Sequence, residues 1–261
     1  MSNANRMTCN LLTIAATCAL AAFFGVVAPG CTPPSGPLPD LPVPTILSGI
    51  ARTPGVRRMQ ASGRIQAVSK KGTSNAGILL YYRYPDSVKM IIQVGFGTTV
   101  AELLFTGPHG LAYFPHQRQA YRIRAGAALT LEGAEFYPSV VTALLRPFDI
   151  GVIADSVELK INGADYILSS ENAGGKRTWQ ISGRTFQLSG EKYEATGGTI
   201  SWERTFHRIR NQIAPEDIIV RFGETETMLF LRRINVSPSW KRSPFRIKLP
   251  ENVSIHELPD A

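Results

Sequence analysis

The chain has 261 residues, 28 Lys plus Arg against 20 Asp plus Glu, a formal net charge of +8 and 44% apolar residues, enough for one domain of ordinary size with a real core. Its basic residues are scattered, so the short runs "RIRN" and "KRSPFRIK" read as strand faces and not as a nucleic-acid surface; the charge suits a solvated exterior or docking on anionic headgroups. With Cys9 and Cys18 inside an N-terminal signal-like segment, residues 1–30, and Cys31 just after it, a cleaved chain would hold a single cysteine, which excludes an intramolecular disulfide and a zinc-type pair.

In chain order, Arg6 precedes an uncharged run of 18 residues from Leu11 to Ala28, the positive-then-apolar order of a secretory signal over residues 1–30. The run lies at the short edge of what spans a bilayer, so an uncleaved anchor helix is the alternative. Ala28 and Gly30 put small residues at the third and first positions before Cys31. This pattern resembles the lipobox of bacterial lipoproteins, which implies that Cys31 becomes an acylated, palmitate-bearing N-terminus; the competing reading is an incidental thiol after ordinary cleavage. Thr32 is not the Asp that retains such proteins at an inner membrane, so the resemblance implies the outer membrane. Six prolines between Cys31 and Thr45 make residues 31–45 an extended tether. Residues 46–261 then form the domain.

From Arg57 the dominant period is two. "RRMQASGRIQAV" sets Met59, Ala61, Gly63, Ile65 and Ala67 on one face of a half-buried strand. "AGILLYYRYP", "SVKMIIQV" and "TTVAELLF" follow, joined by "YPDS" and "GFG", and "GPHG" and "HQRQ" turn the chain through two further strands. In "YPSVVTALLRPF" the period becomes helical through Val140, Val141, Leu144 and Leu145, with Pro138 suited to a first turn and Pro147 ending the helix. Strands resume with "ADYILSS", "KRTWQIS", "GGTISWERTFHRI", "DIIVRF" and "TMLFLRRINV". In the closing "PFRIKLPENVSIHEL", Phe245, Ile247 and Leu249 alternate with Arg246 and Lys248. So many short strands predict a mainly β fold built on one strongly curved antiparallel sheet. A filled β-sandwich or barrel fits the periodicity equally well. "GILLYYRY" is apolar on both faces, as suits a sheet wrapped round an apolar interior and partly covered outside.

Catalytic constellations are missing from the pattern. His109, His116, His207 and His256 have no carboxylate or second histidine at ligand spacing, and there is no nucleophile elbow, phosphate loop or dinucleotide fingerprint. Glu132 and Glu135 precede the predicted helix, where acidic groups favour its dipole. No enzyme, cofactor or metal is expected; an active site assembled from distant strands is the alternative.

The order of pieces now matters: lipidated Cys, spacer, short helix, strand, hairpins, helix, more strands and a closing "F-x-x-x-x-P-x-x-V-x-I". From about Arg57 to Leu258 this resembles the LolA/LolB superfamily of lipoprotein carriers and receptors, with the anchored, LolB-like outer-membrane receptor branch the nearer likeness. "YPDSVKMIIQVGFGTTVAELLFTGPHG" carries most of it, and "GGKRTWQIS" and "PEDIIVRFGETETMLFLRRINV" add to it. "QLSGEKYEATGGTISWERTFHRIRN" exceeds the corresponding receptor region in length. The resemblance implies an unclosed β-barrel with covering helices and an apolar cavity for acyl chains of lipoproteins or lipids. It also implies a membrane attachment through the lipid and a periplasmic carrier protein as donor. A projecting loop formed by Gly95, Phe96 and Gly97 would meet cargo or membrane. Leu80, Tyr82, Met90, Ile92, Val140 and Leu144 are the expected cavity lining. A periplasm-facing scaffold or lipid sensor with a filled interior is the rival reading.

Overall fold

The computed structural model describes residues 36–70, 72–124, 129–131, 134–148, 157–240 and 242–257. The apolar run, Cys31, Thr32 and Glu132 lie outside the described residues. The chain divides into Met1–Pro37 and a compact unit, Leu38–Ala261. That unit begins upstream of the expected 46: Leu38, Leu41 and Val43 pack against a buried cluster, and the Tyr166 hydroxyl donates to the Pro39 carbonyl at 2.8 Å. The second part of the Pro-rich segment is therefore docked on the domain instead of acting as a free spacer.

After helix α1 (Val43–Ile50) come strands β1 (Arg58–Ser69), β2 (Gly72–Arg83), β3 (Ser87–Val94), β4 (Thr98–Thr106), β5 (His109–Phe114) and β6 (Gln119–Arg124). The small hairpin β7 (Leu129–Leu131) and β8 (Ala134–Phe136) leads into helix α2 (Pro138–Leu144). Then follow β9 (Glu158–Asn162), β10 (Asp165–Asn172), β11 (Gly175–Ser182), β12 (Leu188–Ala195), β13 (Ile200–Ile209), β14 (Gln212–Phe222), β15 (Thr225–Val236) and β16 (Ser254–Glu257). Among the described residues 14 strands form one sheet in the order β16-β6-β5-β4-β3-β2-β1-β15-β14-β13-β12-β11-β10-β9, with β16 and β9 as free edges. The barrel is unclosed. No described helix is long and apolar enough to cross a membrane.

Alternation in the sequence becomes alternation in burial. Met59, Ala61, Ile65 and Ala67 of β1 are buried, as are Ile78, Leu80 and Tyr82 of β2 and Val88, Met90 and Ile92 of β3. Register shifts at Ser62/Gly63, Ile92/Gln93, Gln180/Ile181 and Arg204/Phe206 insert bulges that bend the strands, which is how so wide a sheet curls round a core. Gly63 is obligatory at the first of these: a Cβ there would collide with the Phe230 carbonyl of β15. The inner surface carries two apolar clusters. One joins β1–β5, β14 and β15 to Val141, Leu144 and Leu145 of the α2 segment. The other joins β10, β11 and β13 to Ile46 and Ile50 of α1, centred on the fully buried Trp179 and Tyr166.

Two expectations need correction. The sheet is mixed, because β16 pairs parallel with β6. β16 is not reached by a hairpin: the chain leaves β15, crosses the outer face and joins the far edge, and such a crossing permits parallel alignment. The crossing itself, from Trp240 to Leu249, is not a strand. Phe245, Ile247 and Leu249 are half-buried and Arg246 and Lys248 exposed, so the alternation is real. It arises because the segment lies on side chains instead of pairing with a backbone. Trp240 packs edge-on to Tyr81 at 6.3 Å, Arg83 stacks on Phe245 at 4.7 Å, and Lys89 Nζ donates to the Arg246 carbonyl at 2.9 Å. This outer cover accounts for the second apolar face of β2, and the burial it imposes raises the Tyr81 pKa above its ordinary value.

Candidate functional site

Two features lie at opposite ends of the sheet. At one end, the β3–β4 hairpin turns through Gly95 (φ 55°), Phe96 and Gly97 (φ 91°). Both glycines occupy the left-handed region that a side chain resists, and a Cβ at either would meet nothing within 4 Å. Their freedom lifts Phe96 clear of the domain, and its relative exposure reaches 111%. The ring does not fold back over the rim.

At the other end, past the β2–β3 turn, a cleft of about 620 Å³ opens between the C-terminal half of α2 and the inner face of β11–β13. Val140, Ala143 and Leu144 of α2 line it together with Trp202 of β13, Phe148 and Tyr84. Pro138 supplies the first turn of α2, where its missing N–H costs nothing. The helix stays where it is through Arg204. This side chain, 7% exposed, donates from one terminal nitrogen to the carbonyls of Leu144 at 2.6 Å and Arg146 at 2.8 Å, satisfying acceptors that the end of the helix leaves open. Its other nitrogens hold Glu191 at 2.8 and 2.7 Å. The Glu191 carboxylate also accepts the Trp179 indole N–H at 3.1 Å and lies 3.8 Å from Arg177. Burial lowers the Arg204 pKa, and the Glu191 charge and hydrogen bond pull it back up. Phe206 at 4.9 Å and Trp202 at 6.0 Å flank the guanidinium.

Of the expected lining, Val140 and Leu144 border this cleft. Leu80, Tyr82, Met90 and Ile92 do face inward, but they are buried to 2% exposure or less in the cluster beneath α2, packed with Leu144 and Leu145. The Tyr82 hydroxyl has no hydrogen-bond partner among the described residues, and burial pushes its pKa far above the ordinary tyrosine range. The four histidines stay apart: His109, His116 and His207 are exposed, and His256 packs on Tyr121 at 5.5 Å in the edge strand. Among the described residues no three His, Cys, Asp or Glu side chains group as a metal site. Sequence reasoning missed Arg204, Glu191 and Arg177. The available signal was the hairpin register, which sets Glu191 directly opposite Arg204 across β12 and β13.

No protein-family model and no curated protein matches the sequence. Solved structures are similar. A proposed outer membrane lipoprotein-sorting protein domain from Vibrio parahaemolyticus aligns over 76% of this chain and 93% of its own, at 14% identity and a TM-score of 0.52. A DUF1329 family protein from Desulfovibrio piger aligns over 79% and 98%, at 9% identity and a TM-score of 0.55. A LolA superfamily protein from Nitrosomonas europaea aligns over 77% and 96%, at 11% identity and a TM-score of 0.48. Identities this low speak to fold alone: the chain shares the unclosed-barrel fold of the lipoprotein-sorting domain and the DUF1329 protein.

Removing one member of a buried ion pair leaves the other charged and unpaired, so Glu191→Ala should lower stability by roughly 3–5 kcal/mol in urea denaturation. Replacing both partners, Glu191→Leu with Arg204→Met, should restore part of that loss, the carbonyls of Leu144 and Arg146 that lose their donor keeping the recovery incomplete. Equal losses for the single and double variants would mean that the pair is not the source.

Proposed function

We propose that this chain is a lipid-anchored protein of the outer membrane, facing the periplasm, that binds acyl chains of lipoproteins or lipids as a LolB-like receptor or carrier. The anchor is Cys31, with residues 1–30 removed as a signal peptide. The single observation that carries the reading is the bare Phe96 ring on its two-glycine loop. A ring left in water is a cost that a purely structural turn avoids by using Asn or Asp. Burying it in a bilayer or against an acyl chain returns about 1.5–3 kcal/mol. Because the α2 cleft opens beyond the other end of β3, roughly 25 Å from the loop, the ring suits a lipid surface better than the mouth of that cleft. Chemistry is not part of the proposal: the cleft offers walls and charges for binding, and the donor would be a periplasmic carrier protein.

One observation favours the scaffold or sensor reading. Leu80, Tyr82, Met90 and Ile92 are closed over by α2, so acyl chains reach that interior only if the helix moves.

Palmitate-analogue labelling should mark the chain and vanish in Cys31→Ser; equal incorporation in both would contradict the anchor. Phe96→Glu should leave stability within about 0.5 kcal/mol, since the side chain touches nothing. Transfer of a fluorescent acyl probe from vesicles to the anchored chain should fall about tenfold, the equivalent of some 1.4 kcal/mol of lost contact. Normal transfer by the folded variant would contradict the contact role.

A further inference from the structure

The α2 cleft carries more positive charge than its structure uses. Glu191 is the one acidic side chain among its described lining residues, and Arg204 and Trp179 already occupy both of the carboxylate oxygens. Arg177 reaches Glu191 only at 3.8 Å and is held at the wall by Tyr193 and Trp202, whose rings lie 5.8 and 5.4 Å from its guanidinium. Arg146 lies on the same cleft, and its guanidinium has no ion pair among the described residues. Among the described residues lining this cleft three guanidiniums thus face one carboxylate, and Asp86, in the adjoining recess that Arg146 also borders, forms no ion pair with that arginine. In a recess partly shielded from water a missing counter-charge is felt more strongly than on an open surface. The remaining walls are apolar: Val140, Ala143, Leu144, Pro147, Phe148 and Trp202. The volume of about 620 Å³ is that of a small-molecule pocket, of roughly 300–1,000 Å³.

From this charge imbalance beside an apolar wall, we infer that the cleft binds a single-chain amphiphile with an anionic headgroup, the headgroup held by Arg146 and Arg177 and the chain laid along α2. The inference rests on the acyl-binding reading and adds what that reading lacks, a preference for the charge of the headgroup. Guanidinium groups suit the purpose because their paired N–H donors match the two oxygens of a carboxylate or phosphate. Arg204 does not take part directly. Its donors are committed to the helix carbonyls and Glu191, so it fixes the wall on which the ligand would lie.

The test uses the full chain in vesicles and two photoactivatable probes of equal length, a fatty acid and the corresponding fatty alcohol, with labelled peptides mapped by mass spectrometry. The fatty acid should label the peptide around Ala143–Phe148 or that around Trp202 at least tenfold more than the alcohol. Arg146→Gln alone removes an exposed side chain that has no ion pair among the described residues and leaves the fold intact. It should cut this labelling several-fold, and adding Arg177→Gln should bring it to the level of the alcohol. Acetate at the probe concentration should not compete. Equal labelling of the cleft by both probes in the parent chain would overturn the headgroup preference while leaving acyl binding in place, and so would labelling confined to other parts of the chain. Competition by acetate would reduce the cleft to a small-anion site and overturn the amphiphile. Failure of both probes to label the chain anywhere would overturn acyl binding and this inference together.

Discussion

The arrangement of the inner face depends on one buried ion pair. Arg204 ties the C-terminal carbonyls of α2 to the sheet and is itself fixed by Glu191, which Trp179 holds from behind. Remove that tie and a helix of seven residues is left with its apolar contacts and no cap. A helix this short has little stability of its own, since nucleation costs more than so few turns return. Its position is therefore set by tertiary contacts, and the cleft between α2 and β11–β13 exists because of them.

An unclosed sheet of 14 strands meets two separate demands with its two faces. The inner face is divided between clusters under α1 and α2, so both helices act as covers over one continuous curve. The outer face of β2 and β3 is sealed by the segment from Trp240 to Leu249 before the chain pairs at the far edge as β16. Apolar area is thereby buried on both sides of the central strands, while the two ends of the sheet stay open to solvent. One end carries Phe96 and the other the cationic cleft. The exposed ring and the recess are therefore separate surfaces, and one can be occupied without blocking the other.

Much of this was legible in the sequence, and the exceptions have physical causes. Met59, Ala61 and Ile65 announced β1 because burial on one face leaves a strict period of two, and α2 showed in the spacing of Val141, Leu144 and Leu145 between two prolines. Phe96 between two glycines was readable because a turn exposes whatever sits at its tip. β12 was not recognised: "LSGEKYEA" looks polar, and the bulge where Gln180 and Ile181 face Gly190 and Leu188 shifts the parity, so that Leu188 and Glu191 are both buried. Glu191, in a segment that was not read as a strand, is thus the buried centre of the site. The last segment alternates without pairing, because side-chain packing on a sheet surface imposes the same rhythm as a ladder. The position of the domain edge was missed since prolines suit a free spacer and a docked extended segment alike, and only Tyr166 and the second cluster distinguish them.

Native mass spectrometry of the full chain, purified in mild detergent, tests the central claim most directly. A half-barrel that binds acyl chains should carry, beyond any covalent lipid, a non-covalent adduct with the mass of one single-chain amphiphile that is lost on mild collisional activation. A chain that appears only with covalently attached lipid, across preparations in which added fatty acid also fails to bind, would contradict it.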